Sequence, residues 1–334
     1  MMGEFDLIAT YFKRPARQAV LGVGDDCALL QPTPGTQLAI SSDMLVEGRH
    51  FLSTVSPERL GHKALAVNLS DLAACGATPR AFTLALALPR VDTTWLAGFS
   101  KGLFALADAH GCELVGGDTT QGPLNICITV LGDVPVVGGK SQALLRSGAR
   151  VGDDIYVSGN LGDARLALEV FRGHQQVPAS VFEQARLRME QPTPRVALGQ
   201  ALRGIASAAI DVSDGFLGDL HHVLQASQVG ARIDTDNAIN LLAARAGSTS
   251  ATAGFDPQMD DSRALQWVLA GGDDYELVFT AAVANRARVA QAAAQAATPV
   301  TRVGSIEATP GIRLVDSSGK SVNGHFPSFD HFKS

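Results

Sequence analysis

Aromatic residues are scarce in this chain. They make up 6% of its 334 positions, with only 2 Trp and 3 Tyr, while Gly occurs 34 times. Few large rings and many small residues point to helices packed closely on sheets. Cysteine is scarce too. Cys27, Cys75, Cys112 and Cys127 form no C-x-x-C pair, and each lies in or beside an apolar segment. That pattern predicts buried, reduced thiols and a cytoplasmic setting. Long apolar runs are missing. The longest, around Ala81–Leu88, falls far short of the roughly 20 residues that a membrane helix needs. The opening MMGEFDLIATYF has neither a basic nor an apolar leader region, so no signal peptide is expected. No basic stripe is present and the net charge is −6, which argues against nucleic acid as a partner. An acidic protein that handles an anionic substrate needs metal ions to bridge the charges.

Familiar catalytic signatures are also missing. Gly22-Val23-Gly24 opens a dinucleotide fingerprint, but Cys27 stands at the third glycine position and two acids follow Gly24. Acids there would repel a pyrophosphate at a helix N-terminus. Gly139-Lys140-Ser141 looks like the end of a P-loop, yet the required upstream glycine is Val134. Neither H-E-x-x-H nor G-x-S-x-G occurs.

What the chain does have is acids at the ends of apolar runs, flanked by Gly, Ser or Thr. They read GVGDDCALL (Asp25, Asp26), LAISSDM (Asp43), LAVNLSDLAA (Asp71), LVGGDTT (Asp118) and AAIDVSDG (Asp211, Asp214). Strand ends rich in carboxylates and small residues are where α/β proteins bind ligands. Gathered carboxylates resist ionising beside one another unless hard divalent cations take their oxygens, so the pattern suggests a multi-Mg²⁺ site that holds phosphates. Taken singly, Gly-Asp and Ser-Asp are ordinary turn and cap chemistry, and Asp133, Asp153 and Asp163 are assigned to that role. Asp71 and Asn68 share one side of an Ala-rich helix whose other face is Leu65, Leu69 and Leu72, so the polar pair is expected to face inward toward a partner. His50 is either a ligand-facing group or a satisfied surface residue. His221 and His222 read as surface residues.

The length of the chain predicts two domains. A short helix is expected over 4–12 with Phe5, Ile8 and Phe12 on one face. Strands are expected at Val20–Val23 and Gln37–Ile40, a helix from Pro57 to about Ala74, and a strand at Ala81–Leu88. A helix over Thr93–His110 and strands at Glu113–Val115 and Asn125–Leu131 complete the first half. The polar, Gly-rich RSGARVGDD (146–154) marks the boundary, giving domains 1–147 and 148–334. The second half reads as strand Asp154–Val157, helix Asp163–Phe171, a break at QPTPR, strand Ala206–Val212 ending in SDG, and a helix through Val223. Then come strand Ala231–Asp234, a surface loop over 246–261, helix Ala264–Leu269, strand Tyr275–Thr280, helix Ala282–Ala297 and two short strands. VGGDTT (115–120) and AGGDDYE (270–276) echo each other faintly.

Together the segments resemble the thiamine-monophosphate kinase family of the PurM/AIR-synthetase-like superfamily. The likeness runs through GEFDLIATYF, GVGDDCALL, SSDMLVEGRHF, KALAVNLSDLAACGATP, LVGGDTT, RSGARVGD, IDVSDG, GGDDYEL and FDHF. It implies a two-domain PurM-like α/β fold with mixed sheets, an N-terminal ATP and metal domain that also forms a homodimer, and a C-terminal α/β domain. ATP would be a co-substrate and several Mg²⁺ ions the cofactors. By the resemblance, Asp25, Ser41, Ser42, Asp43, Asp71, Asp118, Asp211 and Asp214 ligate metal. Gly117, Asp118, Arg146, Ser213 and His110 contact ATP. His50, Asp273 and Phe326 contact thiamine monophosphate. Asp273 stands where the family often has Glu, Phe326 where it often has Trp, and His110 where many relatives have Tyr. The implied reaction makes thiamine diphosphate by direct in-line phosphoryl transfer, with no catalytic residue beyond metal-assisted positioning. The alternatives are an AIR-synthetase-like or selenophosphate-synthetase-like enzyme and a non-catalytic ATP- or metal-binding module. The selenophosphate reading is weakened because no Gly-rich N-terminal segment carries a nucleophilic Cys.

Overall fold

The computed structural model describes residues 3–246, 261–327 and 329. The expected loop over 246–261 therefore lies almost wholly outside the described residues. The chain divides into two compact units, one of residues up to Leu72 with Ala77–Ala143, the other of Ala73–Gly76 with Leu144 onward.

The first unit holds α1 (Glu4–Tyr11), β1 (Thr36–Val46), α2 (Pro57–Ala74), β2 (Thr78–Leu88), α3 (Thr93–Ala109), β3 (Glu113–Gln121), β4 (Asn125–Val137) and β5 (Lys140–Ser141). Pro57 starts α2 with its preset φ, and Gly76, at φ 69°, lies just past its end. Asp92 caps α3, its carboxylate accepting the Trp95 N–H at 3.0 Å. Among the described residues the strands form a mixed five-stranded sheet in the order β1-β4-β2-β3, with β5 beside β4. Only the β2–β3 pair in that path is parallel. Ile126, Ile128 and Val130 of β4 and Phe82, Leu84 and Leu86 of β2 alternate onto one buried face. Leu60, Leu65, Leu69 and Leu72 of α2 are buried as well. The opposite face is sparser, and on β1 it leaves Leu38, Ile40 and Met44 53%, 62% and 53% exposed.

Three local expectations for the N-terminal half of the chain fail. In α1 it is Leu7 that is buried, with Phe12 just beyond the helix, while Phe5 is exposed; the inward stripe is rotated from the expected one. Val20–Val23 makes only isolated bridges, Leu21 with Leu29 and Val23 with Asp25, because no neighbouring strand pairs along it. Cys112 alone is fully buried, and burial pushes its thiol up to about 12. Cys27 is exposed, Cys75 and Cys127 are half-buried, and all four are free thiols.

The second unit contains β6 (Asp154–Ser158), α4 (Asp163–Phe171), α5 (Ala179–Glu190), α6 (Val196–Ala201), β7 (Ala208–Asp211), α7 (Phe216–Ser227), β8 (Gly230–Asp234), α8 (Thr235–Ala238), α9 (Ala243–Ala246), α10 (Asp261–Ala270), β9 (Leu277–Ala281), α11 (Arg286–Gln295), β10 (Val300–Glu307) and β11 (Gly311–Val315). Among the described residues its sheet has six strands in the order β11-β8-β10-β6-β9-β7, antiparallel except for β11 with β8. Phe216, Leu220, Val223 and Leu224 of α7 recur at helical spacing and are buried. They join Ile155 and Val157, Leu166, and Trp267 and Val268 in one core. The echo between VGGDTT and AGGDDYE is not one of local structure: the first lies within β3, the second spans the end of α10 and the turn before β9. No helix among the described residues is long and apolar enough to cross a membrane.

The three acids assigned to caps and turns differ. Asp153 bonds the Arg150 N–H at 3.0 Å in a turn. Asp133 lies within β4 and accepts from Thr33 Oγ1 at 2.6 Å, so it is a strand residue rather than a cap. Asp163 is a cap, but for another helix: it accepts the N–H groups of Ala243 and Ala244 at 3.3 and 3.4 Å, at the start of α9. Burial pushes its carboxyl from an ordinary 3.8 up to about 6. A raised folded-state value means that the stabilising contribution is complete below pH 3.8 and is lost as pH rises through about 6. Denaturant unfolding of the wild type and Asp163→Asn at pH 4.5 and 7.5 tests this. The wild type should lose about 2 kcal/mol relative to the variant between those values; a difference independent of pH contradicts it.

Candidate active site

In the first unit the site begins where β1 passes under α2. Ser41 and Asp43 occupy alternate positions of β1, opposite Val130 and Ile128 of β4, so they point to the side that α2 covers. Ser41 Oγ donates to Asp71 Oδ2 at 2.5 Å, and the Asp43 N–H donates to Asn68 Oδ1 at 3.1 Å. Asn68 is buried and its amide donates to the Ala64 carbonyl at 3.0 Å. The helix spacing that set Asn68 and Asp71 on one side thus brings both onto β1. Ser42 faces the other way. Its hydroxyl lies 2.9 Å from Thr129 Oγ1 and 3.2 Å from the Ile128 carbonyl.

Asp118 stands on β3 opposite Ala85 of β2, and Ala85 in turn pairs with Cys127 of β4. This row places Asp118 on the sheet face of Ser42 and Met44, away from Ser41 and Asp43. Beside it, Gly117 has φ 144°, and a Cβ there would meet the Leu84 carbonyl oxygen at 1.8 Å. Only glycine allows the two backbones this approach, which follows a register shift between Phe82 and Thr83.

Asp25 is exposed, and its Oδ1 accepts the Asp26 N–H at 2.9 Å. The chain leading to it is held by Glu113, at the start of β3. That carboxylate accepts the backbone N–H of Arg17, of Gln18 at 3.1 Å and of Ala19 at 3.0 Å. Burial opposes ionisation, but these N–H donors prevail and hold the Glu113 carboxyl below its ordinary value. His50 follows β1. Its Nδ1 accepts the Val46 N–H at 2.9 Å, and its carbonyl accepts from buried Lys63 Nζ at 3.1 Å. In the neutral ring the proton is therefore on Nε2. His110 forms the C-cap of α3; burial, then neighbouring His62, lower its pKa and favour the neutral ring.

In the second unit, Asp211 ends β7 and is buried, opposite Leu277 of β9. Ser213, Asp214 and Gly215 turn into α7, and all three N–H groups converge on Asp219 Oδ2 at 3.0, 3.1 and 3.1 Å. Burial outweighs these donors and pushes the Asp219 carboxyl up to about 7. Asp273 lies against the same turn, its N–H donating to the Ser213 carbonyl at 2.8 Å. The close fit depends on Gly272, where a Cβ would meet the Ser213 oxygen at 2.4 Å. Arg146 is exposed, and its carbonyl accepts from Ser227 Oγ at 3.2 Å. That hydroxyl also takes the Gly148 and Ala149 N–H groups at 3.1 Å each. Phe326 is half-buried and packs against the apolar core of this unit. Three residues further on, the Phe329 N–H donates to the Asp214 carbonyl at 3.0 Å. His221 and His222 are exposed, as expected.

Sequence reasoning passed over Glu113 and Asp219, which shape the turns rather than line the site. An acid in the first turn of the helix after SDG was a usable signal for Asp219; nothing local marks Glu113. Among the described residues no group of three or more His, Cys, Asp and Glu side chains converges closely enough to hold a metal ion.

Comparison with known proteins gives consistent results. Residues 24–134 match the family model of the AIR synthase related protein N-terminal domain, and residues 150–317 match that of the C-terminal domain. Thiamine-monophosphate kinase of Salmonella typhimurium is 45% identical over 338 aligned positions, covering 99% of this chain and 98% of that one. The crystal structure of thiamine-monophosphate kinase from Stenotrophomonas maltophilia is 43% identical, with TM-score 0.79, and covers 91% of this chain and 92% of that one. A structure of AaThiL complexed with AMPPCP and TMP is 26% identical with TM-score 0.73, covering 90% and 89%.

Proposed function

Because the chain belongs to the thiamine-monophosphate kinase family of AIR synthase related proteins and is a kinase, we propose that it transfers the terminal phosphoryl group of ATP to thiamine monophosphate, giving ADP and thiamine diphosphate. The observation that carries this reading is the polar contact of β1 with α2, where Ser41 meets Asp71 and Asp43 meets Asn68. An apolar sheet and helix have no structural need for a carboxylate and an amide there. The acceptor is a phosphate, already ionised at neutral pH, so the chain needs no strong general base. Its residues must hold two anions in line and exclude water.

The proposed ligand set, Asp25, Ser41, Ser42, Asp43, Asp71, Asp118, Asp211 and Asp214, offers only carboxylate and hydroxyl oxygens, which suits a hard divalent ion such as Mg²⁺. Mg²⁺ ions held by such groups would supply charge neutralisation for the phosphates. Ser41 orients Asp71 by donating to it. The Gly117–Asp118 backbone, Arg146, Ser213 and the neutral ring of His110 are assigned to ATP; His50, Asp273 and Phe326 are assigned to the acceptor. The domain division at 147/148 would separate the other six ligands from Asp211 and Asp214.

A homodimer is part of the same reading. Leu38, Ile40 and Met44 line the outer face of an edge strand and are half-exposed or more. A second copy of this face would cover them.

Three tests follow. Asp71→Asn should abolish conversion of thiamine monophosphate while leaving the circular dichroism and melting profile intact, and chelation should abolish wild-type activity. Free thiamine should not serve as an acceptor, since its hydroxyl would need a base. Near-normal turnover in Asp71→Asn, or with thiamine, contradicts the reading.

Phe326→Ala should raise the KM for thiamine monophosphate about tenfold or more, the loss of a ring contact of one to a few kcal/mol, and leave the KM for ATP nearly unchanged. If the ring serves only the apolar core it now touches, the melting temperature falls and both KM values move alike or not at all.

Light scattering should give twice the chain mass for the wild type, and Ile40→Asp should shift it to the monomer. A wild-type monomer at micromolar concentration rules out the dimer.

A further inference from the structure

The segment GGDDYE (271–276) carries more polar groups than the acceptor assignment uses. Asp273 is half-buried, but Asp274 and Glu276 are 2% and 0% exposed. Glu276 is fully paired, with Arg188 and Arg195 at 2.6 Å and Ser158 Oγ at 2.6 Å. Asp274 is different. Its Oδ2 accepts the Gly162 N–H at 2.9 Å, at the entry to α4, and its Oδ1 is buried with no hydrogen-bond partner among the described residues. Burial holds its carboxyl well above the ordinary range, and the nearby Asp163 and Glu276 add to the effect. A carboxyl in this position is costly to bury and brings one bond to a backbone amide.

The backbone on either side explains what that bond does. Asp273 has φ 72° and Tyr275 has φ 52°. The left-handed region is tolerable for Asp, but for a bulky residue such as Tyr it is an outlier. Such conformations persist only where the surroundings over-determine them. Here the Asp273 N–H is tied to the Ser213 carbonyl and the Tyr275 N–H to the Val212 carbonyl, each at 2.8 Å. Those bonds fix the residues on both sides of Asp274. The side chain of Asp274 supplies the opposing anchor, to the β6–α4 turn.

We propose that Asp274 is a positioning residue: by tying the segment to Gly162 it holds Asp273 and Tyr275 in the left-handed region and so presents the Asp273 carboxylate to the acceptor. The proposal rests on the assignment of Asp273 to thiamine monophosphate. It makes the two adjacent aspartates unequal in role, the first touching substrate and the second acting through the first.

The test uses the full-length enzyme with Asp274→Ala, Asp274→Asn, Asp273→Ala and the double Ala variant. Should Asp274→Ala fail to fold, Asp274→Ser replaces it, being polar but too short to reach Gly162. Hydrogen exchange at the Asp273 and Tyr275 amides should be at least tenfold faster in Asp274→Ala and unchanged in Asp274→Asn, which keeps an acceptor oxygen in a side chain of the same shape. The KM for thiamine monophosphate should rise about tenfold or more in Asp274→Ala with kcat within about threefold. It should stay near the wild-type value in Asp274→Asn. Asp273→Ala should raise the same KM, and adding Asp274→Ala to it should raise it no further. Unchanged exchange in Asp274→Ala, or multiplicative KM effects in the double variant, overturns the proposal. Faster exchange in Asp274→Ala together with an unchanged KM in Asp273→Ala overturns instead the assignment of Asp273 to the acceptor.

Discussion

A charge that is fully buried must be answered on the spot, and in the second unit that charge belongs to Glu276. Two guanidinium groups and a hydroxyl meet its two oxygens at 2.6 Å. Leaving such a carboxylate without one of its partners costs about 3–5 kcal/mol, so α5, the entry to α6 and the end of β6 are all fixed with respect to one strand end. The backbone of that strand end in turn orders the next turn: the Val212 N–H donates to the Glu276 carbonyl at 2.8 Å, and Asp273 and Tyr275 bond back to Ser213 and Val212. The short segment that bears Asp211, Ser213 and Asp214 is therefore not a free loop. It is one side of a hydrogen-bonded pair whose other side is anchored in the core.

The first unit solves a similar problem with neutral groups. A carboxylate and an amide on α2 face a strand rather than water, and each is met by a donor from β1: the Ser41 hydroxyl for Asp71, the Asp43 backbone N–H for the Asn68 side-chain oxygen. Each such bond has modest net worth, but an unmet partner at this depth is costly. The register of β1 against α2 is thus specified by polar pairing as well as by the leucines around it. A slip of one residue would turn Ser42, whose hydroxyl is committed to Thr129, toward the helix instead.

Much of this was legible from the residues. Pro57 and Gly76 marked the ends of α2, and helical spacing gave the inward aim of Asn68 and Asp71, because side chains three apart share a helix side. In the first unit strand cores were found but their ends were underestimated, whereas β7 is shorter than the expected 206–212 and β9 begins later than the expected Tyr275. β3 continues through Gly116 and Gly117, where the parallel neighbour β2 supplies bonds that no local pattern announces. Long-range partners account for the rest. Asp163 serves a helix 80 residues away, and Asp133 meets a threonine 100 residues earlier. Leu7 rather than Phe5 is buried in α1, since which side of a short amphipathic helix faces inward depends on what it lands on. Acids read as equivalent in the sequence separate in the fold. Asp43 and Asp118 emerge on opposite faces of one sheet, and Asp219, unmarked beforehand, collects three amides under Ser213.

The grip of Glu113 on Arg17, Gln18 and Ala19 bears on how the chain is made. The contacts close a loop of 94 to 96 residues. Loop closure of that length must be met before the bonds repay it, and during synthesis the acceptor does not exist until β3 has been translated. The backbone of Arg17, Gln18 and Ala19 can thus take up these bonds only once β3 is in place. The stretch that carries Asp25 follows directly on them, so the placing of that acid depends on a strand that lies about ninety residues later in the chain.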